Sequence, residues 1–307
     1  MKKLRISIVQ YLNTAPLVWG FTHGPLQGKY DLSFTIPSQC AEDLSAGRAD
    51  VAIVPVIELQ RIENLSVLQD IAIASKNRVR SLLIVSRKPA EKITSIALDR
   101  SSRSTQALTQ ILCAEHWNIS PRFFEAAPDI AHMLDEADAG LLIGDPALRL
   151  AISIAEHSQP GHAGELMCDA AKSGIDGGGN LYIYDVVQEW RGFSGLPAVL
   201  AVWAARRDAI TPEIAADFAA SRDFGTARLE EICRDGAHEL NLPAAELQTY
   251  LRDNIDFSLD AENLAGLDLY FRLAAKLHLI PRAKGIEWVA SGDNKVAHAK
   301  LDRTAAH

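Results

Sequence analysis

Polar residues stand where two helices are predicted to begin. Residues 101–105 (Ser-Ser-Arg-Ser-Thr) lead into one predicted helix, and Ser38 stands at the start of another. The first backbone N–H groups of a helix have no partner within it, and the helix dipole favours a negative charge there. Hydroxyl groups beside them add further donors. These residue types at these positions favour the binding of an anion such as a carboxylate.

The same residues also fit a purely local role. A serine or threonine at the start of a helix can accept a hydrogen bond from a free backbone N–H and so act as its N-cap. Ser38 is predicted to cap its helix in this way, and residues 101–105 could be no more than a capping run. By residue type alone, anion binding and capping therefore stay open for residues 101–105.

Basic residues are concentrated in one window of an otherwise acidic chain. The 31 Lys and Arg are outnumbered by 39 Asp and Glu, which leaves a net charge of −8. Residues 76–103 contain eight bases and two acids, so the window carries +6 and the rest of the chain −14. Arg80 and Arg103 are candidates to bind an anion, whereas Lys88 and Lys92 fit a solvated surface. The acidic balance argues against a protein that coats nucleic acid, whose affinity comes from neutralising phosphates.

The sequence carries no signature of metal or redox chemistry. Its nine histidines form no HExxH or HxH pair, and its four cysteines lie too far apart for a CxxC pair. A chain of 307 residues can bury its own core without disulfides, so reduced and buried thiols are expected. We therefore predict that the protein uses neither a metal nor a cofactor.

No stretch of the sequence predicts contact with a membrane. Arg5, Gln10 and Asn13 interrupt the apolar run near the N-terminus, which is therefore predicted to be a strand rather than a signal peptide. No segment reaches the ~20 apolar residues that span a bilayer. These features predict a cytoplasmic protein, and no feature indicates a protein partner.

Short apolar runs alternate with helical patterns along the chain. A strand at residues 4–9, a helix at 37–46 and a strand at 51–54 follow in the order that is typical of a parallel α/β layout. Gly47 is placed to end the helix in the left-handed conformation. Further strands are predicted at residues 79–86, 95–98, 139–143, 181–184 and 198–204, and further helices at 101–115, 129–136, 185–193, from 211 onward and at 260–277.

The predicted strands fall into two groups, which indicates two lobes. Residues 1–95 and 200–290 form a discontinuous first lobe and residues 96–199 a second, while the polar residues 291–307 are predicted to be a disordered tail. Two lobes joined by two crossings enclose a hinged cleft, where small ligands usually bind. The cleft residues predicted to hold an anion are Ser102, Arg103, Ser104 and Thr105 from the second lobe and Ser38 and Gln39 from the first.

Five blocks in a fixed order make the pattern more specific. One of them, residues 44–58, in which a helix ends at Gly and is followed by Asp and a buried strand, is a weak signal by itself. All five blocks in this order, with Ser81 between them, are a much more specific signal. The blocks are residues 11–16, 37–41, 44–58, 98–105 and 137–148. Together with residues 189–197, they resemble the chorismate dehydratase family of the futalosine route to menaquinone. The resemblance covers about residues 4 to 281 and implies an α/β, two-lobed fold like that of type II periplasmic solute-binding proteins.

The resemblance implies a lyase that dehydrates chorismate to 3-[(1-carboxyvinyl)oxy]benzoate. Chorismate is a small dicarboxylate, and the reaction expels its ring hydroxyl and the proton on the neighbouring carbon. The ring becomes aromatic, which supplies the driving force. The site must hold two anions, exclude water and assist one proton removal.

The resemblance also implies roles for individual residues. Asn13 and Ser81 match the motif positions proposed for catalysis, although by type alone Asn13 fits a turn and Ser81 a small strand residue. Neither is a base at neutral pH. Glu58 and Asp145 fit structural hydrogen-bonding roles better, so a substrate carboxylate is the expected proton acceptor. The predicted substrate-binding residues are Thr14, Ser38, Gln39, Arg80, Ser102, Arg103, Ser104, Thr105, Gly144 and Asp145.

Two other functions fit the same pattern. A non-catalytic binding protein for an aromatic acid could have the same two-lobed fold, since a fold alone does not determine a function. Another enzyme of the same route, the dihydroxynaphthoate synthase, has this general fold, although residues 99–104 fit it less well.

Overall fold

Two mixed β-sheets organise the chain. The computed structural model describes residues 3–155, 159–160, 166–169, 175 and 180–289. The strand orders are β2-β1-β3-β12-β4 and β7-β6-β8-β5-β11-β10-β9. The first sheet contains β1 (Arg5–Val9), β2 (Asp31–Thr35), β3 (Val51–Pro55), β4 (Leu65–Ser75) and β12 (Ala198–Arg206). The second contains β5 (Leu82–Ser86), β6 (Ser95–Asp99), β7 (Arg122–Ala126), β8 (Ala139–Ile143), β9 (Gln159–Pro160), β10 (Leu166–Asp169) and β11 (Asn180–Asp185).

Helices cover both sheets. Several begin at a side chain that accepts backbone N–H groups, as Asp129, Thr211 and Asp260 do, while Gly195 ends another in the left-handed conformation. The α-helices are α1 (Ala15–Thr22), α2 (Pro37–Ser45), α3 (Ser104–Ile111), α4 (Ile130–Glu136), α5 (Gly144–Ala155), α6 (Val186–Ser194), α7 (Pro212–Thr226), α8 (Leu229–Leu240), α9 (Ala244–Thr249) and α10 (Ala261–Lys276). Shorter segments are the 3₁₀-helices Leu12–Thr14, Val56–Gln60 and Ala90–Lys92 and the π-helices Leu112–His116 and Tyr250–Asn254.

Local signals predicted most of these elements correctly, with two kinds of error. The N-cap position of α2 is Ile36, whose side chain makes no capping bond, because Pro37 takes the first helical position; the prediction for Ser38 is wrong. The strands β2, β4, β7, β9 and β10 and the helices α1 and α5 were not predicted. The strand β2 is an edge strand with largely exposed side chains, and Gln69 and Asp70 interrupt the apolar pattern of β4.

The strand β5 belongs to a different sheet from the one that the sequence predicted. The sequence placed residues 79–86 in the first lobe, but β5 pairs antiparallel with β8 and β11 of the second sheet. An apolar run shows that a strand is buried without showing which strands it pairs with. The first crossing between the sheets is therefore at residues 76–81. The remaining division into lobes stays a prediction, and the predicted tail at residues 291–307 lies outside the described residues.

A single large hydrophobic cluster runs through both sheets. It includes Ile8 and Ile53 of the first sheet, Ile84 and Leu98 of the second, and Leu108 of α3. Alternate residues of β5 face opposite ways. Thus Leu83 and Val85 belong to a smaller cluster, which includes Leu150 and Ile154 of α5.

The four cysteine side chains are buried, as predicted. Among the helices that the structure describes, none is both long and apolar enough to cross a membrane.

Candidate active site

Three buried polar side chains meet where the two sheets approach each other. The Tyr250 hydroxyl donates to Oγ of Ser81 at 2.8 Å, and the Asn13 side chain lies within hydrogen-bonding reach of the same hydroxyl. The exposed fractions are 8% for Asn13, 1% for Ser81 and 0% for Tyr250. The structure thus brings together the two residues predicted to be catalytic and adds a tyrosine between them.

Asn13 is held by a tight turn after the first strand. The 3₁₀-helix Leu12–Thr14 follows β1 directly, and the Thr14 amide donates to the Tyr11 carbonyl at 3.0 Å. The Thr14 hydroxyl donates to Oδ1 of Asn13 at 3.4 Å. This turn lies at the carboxyl end of β1, where β1 pairs in parallel with β2 and β3. Ligands of α/β proteins bind at such ends.

Ser81 is held by the crossing between the sheets. The preceding residue, Arg80, has a φ of 65°, which is strained for a residue with a side chain. The Asp185 carboxylate accepts the Val79 and Arg80 amides at 3.0 and 2.6 Å. It also accepts the amides of Val187 and Gln188 at the start of α6. One carboxylate thus joins the two crossings and fixes the backbone next to Ser81.

Gly144 and Asp145 place the start of α5 against the same turn. The Gly144 amide donates to the Ser81 carbonyl at 2.8 Å. Gly144 has a φ of 69°, and a Cβ there would lie 2.6 Å from the Tyr11 ring, so the position requires glycine. The Asp145 carboxylate accepts the Leu12 amide at 3.1 Å. Burial raises the pKa of Asp145 to about 6, and the Leu12 amide opposes the rise.

Tyr250 is the site residue that the sequence analysis missed. It lies outside every motif block, and no local pattern separates it from the other five tyrosines of the chain. It begins the π-helix Tyr250–Asn254, which continues α9. Such π-helical turns often occur at functional sites. Burial raises the pKa of Tyr250, so the hydroxyl keeps its proton at neutral pH.

The start of α3 touches the first lobe through its hydroxyl groups. Oγ of Ser104 accepts the Ile57 amide at 3.2 Å, and the Ser38 amide donates to the Ser101 carbonyl at 3.2 Å. Oγ of Ser102 accepts the Thr105 amide at 3.3 Å, while Arg103, at the N-cap position of α3, makes no capping bond with its side chain. A hydroxyl that accepts one hydrogen bond keeps its own proton to donate. The hydroxyls of Ser102 and Ser104 therefore keep a donor that an anion could use.

Comparison with known proteins identifies the family. Residues 4–276 match the sequence pattern of a family described as menaquinone biosynthesis. The chain belongs to the menaquinone biosynthesis family. This member is 26% identical over 278 residues to a protein named chorismate dehydratase from Thermus thermophilus, an alignment that covers 88% of the chain and 94% of the relative.

Solved structures show the same fold. A protein from Archaeoglobus fulgidus has a TM-score of 0.68 and 17% identity, covering 91% of this family member and 98% of that chain. The periplasmic aliphatic sulphonate binding protein of Escherichia coli has a TM-score of 0.57 and 13% identity, covering 99% and 98%. The predicted two-lobed, type II periplasmic-binding-protein-like fold is confirmed.

Several basic side chains of the 76–103 window are paired with acids. Arg103 binds Glu42 at 2.7 Å and the buried Glu58 at 3.3 Å, and Arg80 binds Glu246 at 2.6 Å. Lys88 likewise binds Asp138 at 2.6 Å. Acids from elsewhere in the chain thus offset much of the basic window predicted from the sequence. Glu58 also pairs with Arg61 at 2.8 Å, and a structural role for it stays a prediction. The Gln39 amide donates to Asp43.

A cavity of about 360 Å³ lies beside the crossing. Arg78 and Arg80 line it together with Asp185 and Glu246, so its bases and acids balance. Its apolar wall consists of Leu83, Ala151, Ile154, Ala155 and Ile183. Of the predicted site residues in the described part of the chain, Arg80 lines this cavity. Among the described residues, no three His, Cys, Asp or Glu side chains come together in a way that could hold a metal ion.

Proposed function

We propose that this protein dehydrates chorismate to 3-[(1-carboxyvinyl)oxy]benzoate and water, as a hydro-lyase of the futalosine route to menaquinone. Its membership of the menaquinone biosynthesis family supports the route, and the name of the Thermus thermophilus relative supports the reaction. A periplasmic-binding-protein-like fold suits a small substrate, because ligands bind in the cleft between two lobes.

The observation that carries the proposal is the meeting of Asn13 and Ser81 at one buried hydroxyl. The two residues come from different parts of the fold, one after β1 and the other at the crossing before β5. Both are neutral donors and acceptors in surroundings with little access to water. Such groups hold a developing charge without reorganising, and they gain strength because water does not compete.

The proposed reaction needs no basic side chain. The proton on the ring carbon that bears the enolpyruvyl ether passes to a carboxylate of the substrate. The neighbouring C–O bond breaks, and the departing hydroxyl takes that proton from the carboxyl group and leaves as water. The electrons of the C–H bond form the double bond that completes the aromatic ring. Asn13 and Ser81 orient the substrate and donate hydrogen bonds to the departing oxygen.

The second requirement is an anchor for the substrate carboxylates. Ser102, Ser104 and Thr105 at the start of α3, with Ser38 at the start of α2, supply hydroxyl donors from the two lobes. Arg103 lies beside them, but Glu42 and Glu58 already pair with its charge, so the hydroxyl groups and the start of the helix are the proposed anchor. A ligand held by both lobes favours their closed arrangement, because each lobe gains contacts only there.

Incubation of the purified protein with chorismate tests the proposal. We expect the chorismate spectrum to be replaced by a benzoate-type absorbance without any added cofactor. Binding of chorismate without turnover would contradict the proposal and favour a binding protein for an aromatic acid. Activity that is lost with a chelator and restored by a divalent ion would contradict the metal-free mechanism.

A further inference from the structure

The Tyr250 hydroxyl lies between the two residues assigned to catalysis. Tyr250 is fully buried, and its hydroxyl donates to Oγ of Ser81 at 2.8 Å. A phenol is a stronger acid than an aliphatic alcohol, so the tyrosine is the donor of this pair. Because Tyr250 donates its proton to the Ser81 oxygen, Ser81 cannot donate its own proton to Tyr250. Ser81 must direct its proton to another acceptor.

The hydrogen bonds around Tyr250 share one donor-to-acceptor direction, which leads towards Ser81. The Thr14 hydroxyl donates to Oδ1 of Asn13 at 3.4 Å, which leaves the NH₂ group of Asn13 for the oxygen of Tyr250. Tyr250 in turn donates to Ser81. Chains of hydrogen bonds in a low-dielectric interior polarise one another. The last member of this chain, Ser81, is therefore its outgoing donor.

We propose that Tyr250 is a positioning residue that orients the Ser81 hydroxyl so that its proton is presented to the substrate. This role rests on the proposed function, in which Ser81 donates to the departing oxygen. Tyr250 itself is placed to contact Asn13 and Ser81 rather than the reacting atoms. Its position at the start of the π-helix Tyr250–Asn254 fixes the ring in the core.

Removal of one hydroxyl tests this role. Tyr250→Phe keeps the buried ring and removes the donor to Ser81, which then can rotate and donate elsewhere. We expect kcat for chorismate to fall about 10–100-fold, as is typical for loss of a positioning partner, with KM changed by less than about twofold. Tyr184→Phe is the matched control, because Tyr184 is also buried and its hydroxyl accepts the Ala90 amide away from the site.

A double variant separates positioning from general stability. If Tyr250 acts through Ser81, then Tyr250→Phe added to Ser81→Ala lowers kcat no further than Ser81→Ala alone. Independent, multiplicative losses would overturn the proposal. So would a Tyr250→Phe protein within about threefold of the wild-type kcat, or an equal loss in Tyr184→Phe. Absence of turnover in the wild-type protein would instead contradict the proposed function, and with it this role.

Discussion

Asn13 and Ser81 carry no charge at neutral pH, so their contribution must come from placement rather than from proton exchange. Each is buried and hydrogen-bonded, and neither can move far without breaking those bonds. In a site from which water is excluded, one well-placed donor has a large effect on rate. The contribution of these two residues to the chemistry therefore depends on where their side chains are held.

Replacing either residue by alanine tests this assignment. We expect Asn13→Ala and Ser81→Ala each to lower kcat about 10²–10³-fold, because one positioned donor is lost. Both variants should still fold, although Ser81→Ala leaves the buried Tyr250 hydroxyl without its acceptor, which lowers the free energy of unfolding by about 1–3 kcal/mol. Steady-state kinetics with chorismate and a thermal melt of each variant measure both quantities. Rates within about threefold of wild type, which is less than ~1 kcal/mol of barrier, would contradict the assignment.

Asp145 makes the stability depend on pH. Burial raises its pKa to about 6, above its unfolded value near 4, so the folded protein holds this proton more tightly. The stabilisation is complete below about pH 4 and is lost as the pH rises through about 6. We expect the stability of wild type relative to Asp145→Asn to fall by about 1–3 kcal/mol across that range.

Urea unfolding at several pH values measures this difference. Asparagine keeps an oxygen that can accept the Leu12 amide, so the variant removes the titration and keeps the hydrogen bond. A difference between wild type and Asp145→Asn that stays constant or rises from pH 4 to pH 6 would show that Asp145 does not titrate in this way.

At the element scale, the polar residues at the start of α3 were predicted either to cap the helix or to bind an anion. The Ser102 hydroxyl accepts the Thr105 amide, although the N-cap position of α3 is the next residue, Arg103. The Ser104 hydroxyl accepts the Ile57 amide from the first lobe. Neither bond uses the proton of the hydroxyl, so the anchoring role stays a prediction for Ser102, Ser104 and Thr105.

Variants at Ser104 and Thr105 test the anchoring role. We expect Ser104→Ala and Thr105→Ala each to raise KM for chorismate about tenfold, since a hydrogen bond to a charged group contributes about 1.5–3 kcal/mol. Thr211→Ala is the control, because it removes the N-cap of α7 and should lower Tm with KM unchanged. If Ser104→Ala and Thr105→Ala behave like Thr211→Ala, the anchoring role is wrong.

At the scale of the whole molecule, the two sheets share one hydrophobic core. The large cluster joins β1 and β3 to β5 and β6 through α3, and polar contacts such as Leu12 to Asp145 cross between the lobes. The two lobes therefore depend on each other for burial of their apolar surface. Lobe motion must leave this shared core packed, because lost contacts there cost free energy in proportion to the area exposed.

We expect a single cooperative unfolding transition for this reason. Trp203 lies in β12 of the first sheet, whereas Trp117 contacts Tyr184 of the second. Thermal melts followed by far-ultraviolet circular dichroism and by tryptophan fluorescence should have the same midpoint. Two separated transitions, or midpoints that differ between the two signals, would show that the lobes unfold independently.

Local chemistry was sufficient to predict the elements that depend on neighbouring residues. The apolar run of β3, the glycine that ends α2 and the aspartate that begins α6 each act within a few residues, so sequence alone determined them. The family resemblance likewise pointed to Asn13 and Ser81. The apolar run, the glycine and the aspartate can be recognised without knowing what lies across the fold, because each of these signals is contained within a few residues of the element that it marks.

Tertiary structure decided whatever depends on pairing between distant segments. The strand β5 is buried in either sheet, and only its ladders with β8 and β11 assign it to the second. Arg80 and Arg103 were expected to face an anion, but acids that are remote in sequence pair with both. Tyr250 has no sequence signal, because its role comes from a hydrogen bond to Ser81, 169 residues away. Such partners are chosen by how the folded chain packs, which no local pattern records.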